Sequence, residues 1–234
     1  ANGMNATMTA ELADAARRCD NAATKVVVLT GAGRFFSAGG DLKDFADAAD
    51  RSRHIKGVAD DLHRAVSTFA RMNAVVITAV NGTAAGAGFS LAVTGDLVLA
   101  AESASFTMAY TRVGLSPDGA ASYYLPRLIG ITQTQELMLT NRTLSAQEAA
   151  TWGLVTEVVA DDQLAARADQ LAEQLAQTAG GSNGGVKNLL LSTFANGLEE
   201  QMEAEGRLIA RLADSADGRE GVDAFLAKRR PAFG

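Results

Sequence analysis

A chain of 234 residues, 47 % apolar and 21 % charged, is long enough to bury a sizeable core and has an ordinary globular composition. Its formal charge of −6 argues against non-specific nucleic-acid binding, and no apolar run reaches the length of a membrane span. Two histidines and one cysteine disfavour a histidine- or thiolate-built metal site, and the lone Cys19 excludes an intramolecular disulfide and fits a reducing, cytoplasmic setting.

The opening, ANGMNATMTAEL, lacks the basic end and apolar block of a signal peptide. TAELADAARRCDN follows, with Leu12, Ala15, Ala16 and Cys19 at helical spacing. Lys25–Thr30 reads as a buried strand, rich in valine. Gly31–Asp50 reads as a loop, and residues 52–72 as a helix with Ile55, Val58, Leu62, Val66 and Phe69 on one face. A second buried strand, Ala74–Val80, stops at Asn81-Gly82. A glycine-rich turn, Thr83–Val93, then opens a short helix. Asp96–Glu102 and Ser105–Tyr110 are further strands. Leu115–Gly130 is a turn leading into a helix, with Pro117 in its first turn. After a strand at Gly153–Ala160 the chain is mostly helical. GGSNGG (Gly180–Gly185) reads as a hinge, and the segment beginning at Leu198 is amphipathic through Met202, Leu208, Ile209 and Leu212. Strand followed by helix, repeated, predicts an α/β fold with parallel pairing.

Two glycine-rich turns, GAGRFFSAGGDL and TAAGAGF, each follow a buried strand. Structural glycines explain either turn alone. Phosphate binding is a second reading, although neither turn completes a P-loop or a dinucleotide fingerprint. A third reading is that convergent backbone N–H groups hold an oxyanion.

GRFFSAGGDL, AVNGTAAGAGFSLAVTGDLVLAA, GLSPDGAASYYLPRLIG and the ending DGREGVDAFLAKRRPAF resemble, in order, the crotonase superfamily of enoyl-CoA hydratases and isomerases. AAGAGxxLA and GLxPDxxxxxxLPRLxG resemble the epoxyphenylacetyl-CoA isomerase subgroup. The resemblance implies a spiral of ββα units over residues 1–179 and a helical trimerisation region over 180–234. The β-hairpin that family members carry ahead of the first segment has no counterpart in this sequence, so coenzyme contacts from it carry over to no residue here. The substrate implied is an acyl-CoA thioester, with coenzyme A part of the substrate and no separate cofactor or metal. The partners implied are further copies of the chain, as a trimer or a dimer of trimers, with neither nucleic acid nor membrane.

By the same resemblance, the N–H groups of Gly40 and Ala87 receive the thioester oxygen. Ala38, Gly39, Asp41, Leu42 and Gly86 border the pantetheine and adenine path, with Asp41 bonding nearby backbone. The two positions that carry glutamates in the family's hydratases hold Ser90 and Tyr110 here, and neither side chain ionises readily at neutral pH. Asp118 sits where some isomerases and dehalogenases of the superfamily place a catalytic aspartate. Phe225 and Lys228 match residues that reach the nucleotide of a neighbouring subunit, and Arg34 and Lys43 are weaker candidates for phosphate contacts. His54 and His63 read as solvated or packed, and Trp152 as core or interface. The activity implied is proton transfer by an isomerase. Thioester hydrolysis, dehalogenation through Asp118, weak hydratase activity and a non-catalytic CoA-binding role are the alternatives.

Overall fold

The computed structural model describes residues 1–234. The chain repeats one step three times: a strand in a first sheet, a short strand in a second sheet, then a helix. The first pass is β1 (Val26–Thr30), β2 (Phe35–Ser37), α2 (Leu42–Asp47) and α3 (Arg51–Arg71), preceded by α1 (Ala6–Cys19). The second is β3 (Val75–Val80), β4 (Thr83–Ala85) and α4 (Ala87–Ala92). The third is β5 (Leu97–Ala101), β6 (Ser105–Thr107) and α5 (Ala121–Thr140). A last partial pass adds β7 (Leu144–Ser145), α6 (Ala146–Thr151) and β8 (Glu157–Val159). The sheets run β1-β3-β5-β8 and β2-β4-β6-β7, parallel except for the β6–β7 pair. This is the ββα spiral that the resemblance implied.

Central strands of a parallel sheet are covered on both faces, so their sequences are continuously apolar. β3, VVITAV, is buried at all six positions. Its register, Val28 opposite Ile77 and Thr78 opposite Val98, puts it between β1 and β5. Phe36, Ile77, Phe89, Leu99, Phe106 and Leu125 fill the core, with the Phe89 and Phe106 rings 5.4 Å apart. No helix is long and apolar enough to cross a membrane.

Five sequence expectations need correction. The strand expected to be buried at Lys25–Thr30 is β1, which buries none of its residues and leaves Val28 exposed because it lies at the edge of its sheet. Gly31–Asp50 is not a continuous loop: β2 and α2 lie inside it, α2 being capped by Asp41, whose carboxylate accepts from the Lys43 and Asp44 N–H groups. Three-residue strands and six-residue helices are too short to leave a periodic signal. Pro117 lies before α5 rather than in its first turn, because the chain turns left-handed at Gly119 (φ +60°) and Ala120 (φ +64°) before the helix begins. The β8 strand covers only Glu157–Val159 of the expected Gly153–Ala160.

The expected hinge at Gly180–Gly185 is the first half of α8 (Gly180–Ser192). Here Gly184 and Gly185 serve close packing. A Cβ on Gly184 would fall 2.0 Å from the Asn73 amide oxygen, so a larger residue would lift α8 off the core. The same helix carries Lys187, 8 % exposed. Its Nζ donates to the Phe69 and Ala74 carbonyls at 2.7 and 2.8 Å and pairs with Asp96 at 2.8 Å. Burial pushes the Asp96 carboxyl up despite that cation. α7 (Leu164–Ala176), α9 (Leu198–Ala213) and α10 (Ala216–Leu226) complete the chain. α9 buries none of its residues, and Leu198, Met202 and Ile209 are 69 %, 51 % and 70 % exposed.

Candidate active site

The ends of β2 and β4 lie side by side because the two strands pair in parallel. Just beyond them the chain segments 38–40 and 86–87 come into contact. Gly39 adopts φ +86°, and a Cβ there would fall 2.5 Å from the Ala85 carbonyl oxygen and 3.3 Å from the Ala87 nitrogen. Only glycine fits both that conformation and that approach.

Gly40 forms an isolated parallel bridge with Met4. The bridge uses the Gly39 carbonyl and the Asp41 N–H, bonded to Met4 at 2.8 and 3.0 Å. The Gly40 N–H therefore points off this ladder and makes no hydrogen bond. Ala87 is the first residue of α4, where an N–H has no partner within the helix. Both residues line one cavity of about 420 Å³. Two free N–H groups on one wall can receive a single carbonyl oxygen and stabilise negative charge on it.

Another part of the lining comes from the third pass of the spiral. Tyr110 follows β6, and Asp118 lies on the excursion before α5. The Tyr110 hydroxyl donates to Asp118 Oδ1 at 2.6 Å and accepts from the buried Ser90 hydroxyl at 2.9 Å. Burial, reinforced by the Asp118 charge, pushes the Tyr110 phenol far up, so it remains protonated and donates. Asp118 Oδ2 makes no hydrogen bond, so one carboxylate oxygen is engaged and the other is not. The remaining lining is mostly apolar, with Phe45, Ile55, Leu62, Val113 and Leu115 prominent, and Lys56 is its one cation. The Phe45 ring sits on Gly40, where an added Cβ would meet Cε2 at 2.7 Å. His54 and Asp44, 2.6 Å apart, tie α3 to α2, which carries this ring.

Of the residues singled out from sequence, Ala38, Gly40, Leu42, Gly86, Ala87, Tyr110 and Asp118 line this cavity together. Gly39 and Asp41 stand behind it, shaping the turn and capping α2. Ser90 is fully buried behind Tyr110 and reaches the cavity only through that hydroxyl. Phe225, 82 % exposed on α10, and Lys228, just past that helix, do not line the cavity. Arg34 and Lys43 are exposed and also lie off it. Sequence reasoning missed the contact of Phe45 with Gly40 and the hydrogen bond from Gly119 N–H to His63 Nε2 at 3.1 Å. No sequence feature distinguishes His63 from a solvated or packed histidine, and nothing local marks its partner.

Comparison with known proteins agrees with the fold. Residues 1–234 match the family model described as Enoyl-CoA hydratase/isomerase. The chain is 43 % identical to 1,2-epoxyphenylacetyl-CoA isomerase of Escherichia coli (strain K12) over 242 residues, covering 99 % of this chain and 90 % of that protein. It is 35 % identical to 4-chlorobenzoyl coenzyme A dehalogenase-1 of an Arthrobacter species over 181 residues, 76 % of this chain and 66 % of that one. The crystal structure of an enoyl-CoA hydratase from Polaromonas sp. JS666 superposes with a TM-score of 0.90 at 34 % identity, covering 99 % of this chain and 91 % of that chain.

Proposed function

The chain belongs to the enoyl-CoA hydratase/isomerase family, and from that premise we propose that it is an acyl-CoA isomerase acting through a thioester enolate. The observation that carries this reading is that Asp118 is the only carboxylate among the residues lining the cavity. Adding water across a double bond requires one group to activate the water and another to protonate carbon. A proton shift requires one group that takes a proton and gives it back.

In this reading the thioester oxygen accepts from the Gly40 and Ala87 N–H groups. Asp118 Oδ2 removes a proton from the carbon beside the carbonyl, or from its vinylogous position. The electron pair moves onto the thioester oxygen, and the two N–H groups hold that charge. Oδ2 then returns the proton at another carbon, the pair moves back, and the carboxylate is regenerated. Tyr110 keeps Oδ1 engaged throughout, so the carboxylate turns one oxygen to the substrate. Identity with the E. coli isomerase supports an acyl group of the epoxyphenylacetyl type, and the apolar lining suits an acyl group without charge. The unburied apolar stripe of α9 supports assembly with further copies, in which Phe225 and Lys228 would reach a neighbour's nucleotide.

Dehalogenation or hydrolysis through Asp118 is the second reading, favoured by the likeness to the dehalogenase. Here Oδ2 would attack the halogen-bearing carbon and expel halide, or attack the thioester carbonyl and expel the CoA thiolate, and water would then cleave the ester or anhydride so formed, releasing the product and the Asp118 carboxylate. The test is a panel of acyl-CoA thioesters followed by mass spectrometry in heavy-oxygen water, with Asp118→Asn alongside. Isomerisation gives a product of unchanged mass, and Asp118→Asn lowers turnover by about 10²–10⁴. Heavy oxygen in the product overturns isomerisation, in favour of hydration where the whole thioester gains one water and of hydrolysis or dehalogenation where CoA or halide is released.

A further inference from the structure

Asp118 is held by a turn whose support lies outside the substrate cavity. Gly119 is buried and left-handed, and a Cβ on it would fall 2.8 Å from Ser90 Cβ and 3.2 Å from Leu62 Cδ2. Ala120 is also left-handed, at φ +64°. Glycine takes this conformation without a steric penalty, but Ala120 carries a Cβ and is strained in it, so the turn needs outside support. The Gly119 N–H has one partner, His63 Nε2, reached across 56 positions of sequence.

His63 lines a separate cavity of about 350 Å³ with Val66, Ala70, Ala120, Tyr123 and Leu191. Neither His63 nor Ala120 lines the cavity that holds Asp118. The turn 118–120 is thus a partition, with the carboxylate on one side and the imidazole on the other. To accept from Gly119, Nε2 must be unprotonated, which places the ring proton on Nδ1.

We infer that His63 is a positioning residue for proton transfer: by accepting the Gly119 N–H it fixes the turn that aims the Asp118 carboxylate. It does not touch substrate and acts through the backbone of the residue next to the acid. The inference rests on the reading of Asp118 as the acid–base group. Small misplacement of a reacting group is expensive in rate, so the loss should fall on turnover rather than on binding.

The experiment measures kcat, KM and melting temperature for His63→Leu, His63→Gln and His63→Ala, each with and without Asp118→Asn. Leucine fills the ring's space without an acceptor. Glutamine presents an amide oxygen near the position of Nε2. Expected are a fall in kcat of roughly 10–100-fold for His63→Leu with KM within about twofold, and recovery of most of the rate by His63→Gln. In the Asp118→Asn background His63→Leu should change the residual rate by less than about twofold, because no acid is left to aim. Equal impairment of the leucine and glutamine variants overturns the inference, as does a loss that multiplies with Asp118→Asn. Should His63→Ala fail to fold, the leucine–glutamine contrast decides alone. A near-normal rate for Asp118→Asn itself refutes the acid–base reading instead, so the two failures are separable.

Discussion

Gly39→Ala is the substitution that most directly challenges the oxyanion reading, because it changes no side chain on the cavity wall. At φ +86° an alanine already costs about 1–2 kcal/mol. Its Cβ would lie 2.5 Å from the Ala85 carbonyl oxygen, whereas ordinary contact begins at 3.4 Å, so segments 38–40 and 85–87 must part by about 0.9 Å. Gly40 is the next residue, and its N–H moves with the segment. A donor useful at about 2.7–3.1 Å is then out of reach, which costs about 2.7–4 kcal/mol of barrier, or roughly 10²–10³ in kcat. The assay is exchange of the proton beside the thioester carbonyl in deuterated water, read by mass, with thermal melting as the folding check. Gly57→Ala is the control: it lies exposed in α3 with nothing within 4 Å of an added Cβ, so it should leave kcat unchanged and stabilise by about 0.5–1 kcal/mol. If folded Gly39→Ala protein retains turnover within about threefold of the parent, the two segments do not hold an oxyanion.

Lys187→Met should strand the half-buried Asp96 charge and leave the Phe69 and Ala74 carbonyls unpaired, at a cost of about 3 kcal/mol. A melting-temperature drop of roughly 6–12 °C is expected, and a drop under about 2 °C would contradict it. At the C-terminal end, Arg229 and the Ala232 N–H hold the Glu220 carboxyl down at about 2. Because this pKa is depressed on folding, its stabilising contribution is complete above the unfolded value near 4.5 and disappears as pH falls through about 2. Protease sensitivity of residues 229–234 should therefore rise over that interval, and Glu220→Gln should make it high and flat with pH.

The spiral was legible because its inner strands are. AVVITAV is apolar but for Thr78, as a central strand covered on both faces must be, and KVVVLT has four apolar residues in a row although it forms the partly exposed edge strand β1. The second sheet was less so, since β2 and β4 have three residues each and no period can show in three. The glycine turns were legible for a local reason: backbone approach forbids a Cβ wherever the chains touch. The glycines of α8 misled for the same reason, since close packing and chain freedom call for the same residue and only the neighbours, Asn73, Leu208 and Leu212, distinguish them. Ser90, Tyr110 and Asp118 could be singled out one at a time, but not their hydrogen-bonded order, which places the serine behind the phenol. The His63–Gly119 bond was invisible because it joins two helices' worth of chain through one backbone hydrogen.

That division follows how the site is built. β2, β4 and β6 are neighbours in one sheet, and each pass of the spiral delivers one part of the site beyond its strand: Gly40, then Ala87, then Asp118. The first two parts are backbone groups placed by strands about 4.8 Å apart, a spacing that hydrogen bonding sets regardless of side chains. The third part is a side chain, and it arrives after an excursion too long for the sheet to guide. Whatever aims the acid must therefore be supplied separately, and the structure supplies it twice: Tyr110 holds the carboxylate from one side, and His63 holds its turn from the other. In such a frame the proposed oxyanion donors are inherited from the fold, while the identity and aim of the proposed acid rest on a few side chains. The proposed difference between this chain and a two-carboxylate hydratase accordingly resides in Ser90, Tyr110, Asp118 and His63, with no change required in the strands that carry them.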